Sequence, residues 1–117
     1  LKVLIFEDDA ERIKTFQRIL KNHDLYFFDK VDEAKKAFDL LGPFDFIFLD
    51  HDMDGKVFVP SEEENTGYQL AKHIAKMGTK AEIVVHSMNM PGVEKILGVL
   101  PQAKNVSFPI LIQHLKG

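Results

Sequence analysis

The sequence predicts an α/β fold, a three-layer sandwich with helices on both faces of a five-stranded parallel sheet of order 2-1-3-4-5. Three observations lead there. Short β-rich apolar runs alternate with apolar stripes at helical spacing along the whole chain. Strands that alternate with helices pair in parallel, and right-handed crossovers leave few topologies; this order is the common one at 117 residues. The central run at residues 44–49, FDFIFL, is almost wholly apolar, as a strand covered on both faces must be.

Each element has its own signal. Residues 2–6, KVLIF, read as the first strand. Asp8 and Asp9 then stand where a helix cap stands, and Ile13, Phe16, Ile19 and Leu20 recur at helical spacing. Residues 25–28, LYFF, give the second strand. Val31, Ala34, Ala37, Phe38 and Leu41 form the next helical stripe, which Gly42 and Pro43 stop. After the third strand, residues 51–65 are polar, contain Gly55, Pro60 and the run Glu62-Glu63-Glu64, and read as a long loop. Thr66 and Gln69 have capping-box spacing, and Gly78 ends the helix they open. Residues 82–85 are the fourth strand, and Pro91 suits the first turn of a short helix. Residues 105–108 are a weak fifth strand before Pro109 opens a last helix of about two turns. Phe16, Phe27, Phe38, Phe46 and Phe48 are core candidates by periodicity.

The length suits a single domain over residues 1–117 that holds its own core. The chain has no Cys, which excludes disulfides, thiolate zinc sites and a thiol nucleophile. A net charge of −3 argues against broad nucleic-acid or membrane attraction. Lys72, Lys76 and Lys80 read as a solvated helix face. No apolar run reaches the 18 or so residues of a membrane span, and no signal sequence opens the given residues, so a cytoplasmic location is the expectation.

Ligands in such sheets bind beyond the carboxyl ends of the strands, where strands one and three diverge. Glu7-Asp8-Asp9 follows the first strand, Asp50-His51-Asp52 the third, and His86-Ser87 the fourth. Two carboxylates about 4 Å apart repel by roughly 4 kcal/mol at an effective dielectric near 20. A hard cation held by oxygens relieves that directly, so magnesium or manganese is the expected cofactor. The bland alternative is that these acids cap helices or lie solvated in turns. His86 offers an imidazole that can transfer protons; its competing reading is a core histidine satisfied by an acid. His51 reads as a solvent-facing turn residue; turned inward, it could ligate a softer metal such as manganese or zinc. Ser87 and Asn89 can donate to phosphate oxygens, whereas Met88 and Met90 read as packing residues.

The segments KVLIFEDD, FIFLDHDMDG and TGYQLAKHI resemble the landmarks of response-regulator receiver domains, along almost the whole chain. The resemblance implies the flavodoxin-like form of the same sandwich. It places Glu7 and Asp8 in the acidic metal pair, Asp50 at the phosphoacceptor position, and the main-chain carbonyl of Asp52 as a further metal ligand. Three departures stand out. His86 followed by Ser87 occupies the place of the receivers' Thr or Ser. Phe108 precedes Pro109 where receivers carry Lys. The loop after Asp50 is long. A narrower resemblance covers FEDDAER, FLDHDMDG, NTGYQLAKHI and VVHSMNMPG, which together look like the cyclic-phosphate-processing receiver domains, with Pro91 one position late. It implies a metal-dependent phosphoesterase with Asp50, His86 and Ser87 as catalytic residues, Ser87 and Asn89 as phosphate donors, and a phosphate-containing small molecule or RNA end as partner. The other expectations are a phosphoaccepting receiver and a non-enzymatic module that docks on a protein.

Overall fold

The computed structural model describes residues 1–53 and 59–116. Asp54 and Gly55 of the FLDHDMDG segment lie outside them. The elements run β1 (Lys2–Phe6), α1 (Ala10–Ile19), β2 (Asp24–Phe28), α2 (Val31–Leu41), β3 (Phe46–Leu49), α3 (Gly67–Met77), β4 (Glu82–Val85), α4 (Met90–Val99), β5 (Lys104–Asn105) and α5 (Phe108–Lys116). The strands form one parallel sheet of order β2-β1-β3-β4-β5. This is the expected architecture.

Strand side chains alternate between faces with a period of two, and that period sorts the core into two layers. Leu4, Phe6, Ile47, Leu49, Ile83 and Val85 pack against Val31, Ala34, Leu70, Ile74, Val93 and Ile96 of α2, α3 and α4. Val3, Ile5 and Phe48 pack the other way, against Phe16 and Leu20 from α1 and its end, and Leu111 from α5. Phe16 and Phe48 are buried as expected, while Phe27, Phe38 and Phe46 are half-buried at the margins.

Several boundaries differ from the sequence reading. β3 starts at Phe46, because Phe44 leaves the strand to bury its ring edge-on against Tyr26 at 5.7 Å. β5 is two residues and ends early. Val106 N–H still donates to Val85 O (2.9 Å), but Ser107 O already accepts the Leu111 N–H (2.9 Å), so α5 begins at Phe108. The capping box at Thr66 does not form. Its hydroxyl instead donates to the carbonyls of Ser61 (3.4 Å) and Glu63 (3.3 Å), and Gln69 Nε2 donates to Ser61 O (2.8 Å). These bonds tie the long loop to the start of α3. Asp9 does cap α1, accepting from the N–H groups of Glu11 and Arg12. Among the described residues no helix is long and apolar enough to cross a membrane.

Candidate functional site

The sheet register builds the site. Phe6 pairs with Leu49, and Leu49 with Val85, so Glu7, Asp50 and His86 are the residues immediately past three adjacent strands. The ladder continues through them: Asp50 N–H donates to Phe6 O (3.0 Å), and His86 N–H to Leu49 O (2.9 Å). Phe6, Leu49 and Val85 face α2, α3 and α4, so the next residues face α1 and α5. Adjacent strands lie about 4.8 Å apart. The result is that one ligand atom from each of Glu7, Asp50 and His86 lies within 4.8 Å of the others.

All three are buried, and their charges are interlocked. His86 Nε2 donates to Glu7 Oε1 at 2.8 Å, since an ionised carboxylate only accepts. His86 Nδ1 is buried without a hydrogen-bond partner among the described residues. Glu7 Oε2 accepts the N–H groups of Asp8 and Asp9, each at 3.1 Å. Asp50 Oδ1 accepts the His51 N–H at 2.7 Å. Burial pushes the Asp50 carboxyl up to about 6, and the Glu7 charge pushes the same way; His86, the His51 N–H and Arg12 oppose them. Burial would raise Glu7 too, but His86, the Asp9 N–H and Arg12 outweigh it and hold Glu7 below its ordinary value.

Arg12 is a member of the site that the sequence reading passed over. It sits one turn before Phe16 on the inward face of α1, and that spacing was the available signal. Its Nη1 lies 3.7 Å from Glu7 Oε1 and 3.7 Å from Asp50 Oδ2. The guanidinium carbon stands 4.8 Å over the Phe108 ring. Phe108 also meets Phe16 edge-on at 5.6 Å and lies 6.0 Å from His86. The residue in the place of the receivers' Lys therefore closes the imidazole in an aromatic pocket.

A second buried cluster lies beside the first. His51 is fully buried, which overturns its reading as a solvent-facing turn residue. Nε2 lies 2.8 Å from Ser61 Oγ, and Nδ1 lies 3.1 Å from Asp52 Oδ1. Asp52 Oδ1 also accepts from Val59 N–H (2.9 Å) and Asn89 Nδ2 (3.0 Å). Asn89 Nδ2 donates to Val59 O (2.9 Å), and its Oδ1 caps α4 through Gly92 N–H (3.0 Å). The amide expected to hold phosphate is thus engaged in fixing the loop and α4. Ser87 is buried between the clusters in sequence, and its Oγ accepts the Asn89 N–H at 3.0 Å. Asp8 is half-buried one residue past Glu7. Neither Asp8 nor Asp52 belongs to the close-set trio of Glu7, Asp50 and His86 found among the described residues. Met88 and Met90 are 73% and 51% exposed, so they are not the packing residues expected.

Two glycines exist because of these histidine and aspartate neighbours. A Cβ on Gly67 would run into the Asp50 carbonyl oxygen, and Gly67 N–H donates to His51 O at 2.9 Å. A Cβ on Gly92 would lie 2.5 Å from the His51 ring.

The fold and its strand-end acids define a receiver-like domain of the response-regulator kind. The family model described as the cyclic-phosphate processing receiver domain matches residues 3–102, and the chain belongs to that family. No curated protein matches it. Among solved structures it is similar to the N-terminal domain of an uncharacterized protein from Wolinella succinogenes, with a TM-score of 0.75 and 24% identity, covering 98% of this chain and 86% of that one. It is similar to a CheY-like receiver domain from Methanospirillum hungatei JF-1, with a TM-score of 0.71 and 13% identity, covering 98% and 90%. It is also similar to the Mn(2+)-bound form of the response regulator Rcp1, with a TM-score of 0.68 and 18% identity, covering 98% and 88%. At these identities the likeness is one of fold.

Proposed function

We propose that this domain is a metal-dependent phosphoesterase that acts on cyclic phosphates. The observation that carries the reading is the placing of Glu7, Asp50 and His86 side by side on three adjacent strand ends, with their ligand atoms within 4.8 Å. Their chemistry fits a divalent ion. The paired buried carboxylates want a hard cation, magnesium or manganese, and the imidazole beside them is left for proton transfer. The family's description and the manganese-bound form of the similar Rcp1 support the same reading. Glu7 and Asp50 would hold the ion, with Asp8 and the Asp52 carbonyl as the further contributors that the resemblance implies. When bound, the ion supplies Lewis acidity toward a phosphoryl oxygen.

The rest falls to the chain. Hydrolysis of a cyclic phosphodiester adds water to phosphorus, breaks one P–O bond, and puts a proton on the leaving oxygen. Glu7 orients the ring through Nε2, and His86 takes a proton from the attacking water and passes one to the leaving oxygen through Nδ1, the nitrogen that Glu7 does not hold. Ser87 donates to a phosphoryl oxygen through its hydroxyl. Phe16 and Phe108 exclude water from one side of the imidazole.

A turnover screen of cyclic-phosphate nucleotides and RNA ends with manganese or magnesium tests the proposal. His86→Ala should lower turnover by roughly 10²–10⁴-fold and leave manganese affinity nearly intact. A parallel loss of affinity would make His86 a ligand instead. Ser87→Ala should do less, since a neutral hydrogen bond is worth about 0.5–1.5 kcal/mol. The second reading is a docking module, favoured by the exposure of Met88 and Met90 at the start of α4. It takes over if no cyclic phosphate is turned over and a protein partner is lost on Met88→Ser, Met90→Ser substitution.

A further inference from the structure

We infer that Arg12 is the phosphoryl-binding arm of the site, lying across Glu7 and Asp50 in the metal-free protein and turning to a phosphate oxygen once a divalent ion takes that place. The inference rests on the metal reading above. It starts from a geometry that is close but not locked. Nη1 is equidistant from Glu7 Oε1 and Asp50 Oδ2, at 3.7 Å from each. A charge-assisted N–H···O bond closes at about 2.7–2.9 Å, so the guanidinium bridges the two carboxylates by charge without a fixed bond to either.

Three further observations give the arm its freedom and its direction. The Arg12 side chain is 25% exposed, whereas those of Glu7 and Asp50 are 0% and 10% exposed, so Arg12 is the charged group nearest the outside. Its main-chain N–H is pinned to the Asp9 cap (3.2 Å), which fixes the root of the arm and leaves the side chain to move. The guanidinium carbon rests 4.8 Å over Phe108, a contact that holds a planar cation by its face and leaves its N–H edge open. Phe108 is where the receiver resemblance would place a Lys. The cation beside Asp50 is therefore supplied from α1 and not from the end of β5. Arg is also the side chain whose planar fork matches two phosphate oxygens at once.

Two opposite consequences follow, and a merely structural Arg would produce neither pair. As a stand-in cation, Arg12 competes with the metal. As a phosphate ligand, it cooperates with the metal. Manganese titration of the full chain, followed by inorganic phosphate titration of the manganese-saturated protein, reads both. Arg12→Met keeps the stem over Phe108 and removes the charge; it should bind manganese several-fold tighter and phosphate about 10-fold more weakly or worse. Arg12→Lys should retain part of the phosphate affinity. Unchanged phosphate affinity in Arg12→Met overturns the inference. So does a loss of both affinities together, which would make Arg12 a structural partner of the carboxylates. Should Arg12→Met fail to fold, Arg12→Lys decides: phosphate affinity equal to or greater than the wild type's counts against the fork. Failure of the wild type to bind manganese at all is a different result, and it removes the metal reading together with this one.

Discussion

At the scale of single residues, Asp50 is a group whose charge is costly in the folded protein. Burial and the neighbouring Glu7 raise its carboxyl from 3.8 to about 6. A raised acid binds a proton more tightly in the folded than in the unfolded state. The native state therefore loses stability as pH rises from about 4 to about 6, and the loss persists above that window. At roughly 1.36 kcal/mol per unit, the ceiling is on the order of 3 kcal/mol. Asp50→Asn keeps the shape and removes the titration. Its stability advantage over wild type in metal-free buffer should grow between pH 4 and 6 and level off by pH 7, by denaturant unfolding at each pH. Manganese at pH 7 should stabilise the wild type and shrink the gap. A pH-independent difference would mean that Asp50 is not ionised against its surroundings. Glu7 contributes in the opposite sense. Its lowered value stabilises the fold above its unfolded titration and is lost in acid, so the comparison with Asp50→Asn is needed to isolate Asp50. The structure shows the core reading of His86, and its functional reading stays with the proposed function. It is a core imidazole satisfied by an acid, and it is the residue that completes the buried trio.

At the scale of elements, the strands and helices were legible because each carries its own period, and the cap at Asp9 and the first-turn Pro91 are local signals. What escaped was set by contacts between distant segments. His51 reads as a turn residue from its neighbours alone. It is buried because Ser61, Asn89 and the bare face of Gly92 close around it from the loop and α4. Thr66 and Gln69 have the spacing of a box, but the backbone of Ser61 and Glu63 lies within their reach and takes their hydrogen bonds instead. Arg12 was passed over for the same reason: its spacing marks the inward face of α1, but its partners follow β1 and β3 and open α5. Two predictions belong here. His51→Ala leaves Ser61 Oγ without its imidazole and opens a cavity against Gly92; it should cost about 2–4 kcal/mol in denaturant unfolding. A cost within error of zero would show that the loop is held without it. Gly67→Ala forces a Cβ against the Asp50 carbonyl, where main chain cannot yield cheaply. It should destabilise by roughly 1–3 kcal/mol and weaken manganese binding by displacing Asp50. Loss of stability with wild-type manganese affinity would separate α3 from the site.

At the scale of the whole molecule, the question is whether an event at Asp50 reaches the far surface. The receiver resemblance supplies two levers for that, a hydroxyl at the end of the fourth strand and a Lys at the end of the fifth. Here the first place holds His86, tied to Glu7 at 2.8 Å and closed in by Phe16 and Phe108. The second holds Phe108, whose ring is packed against Phe16, His86 and Arg12. β5 is two residues long, and its pairing with β4 ends at Val85 and Asn105. The side facing α1 and α5 is therefore aromatic and packed, and interiors of that kind hold a single arrangement and do not slide continuously. A phosphoryl group on Asp50 would meet Arg12, a local partner on α1, and would find Phe108, not a Lys, in the place before Pro109. Treatment with a small phosphodonor and magnesium should therefore perturb amide signals at Glu7, Asp50, His86 and Arg12, and leave those of α4, β5 and the end of α5 in place. The sedimentation behaviour should not change. A large shift across α4 and α5, or a change of oligomeric state, abolished in Asp50→Asn, would establish a route that bypasses the missing Lys. It would make the phosphoaccepting receiver the better account of this chain, and the phosphoesterase screen is the independent measurement against which that result would be weighed.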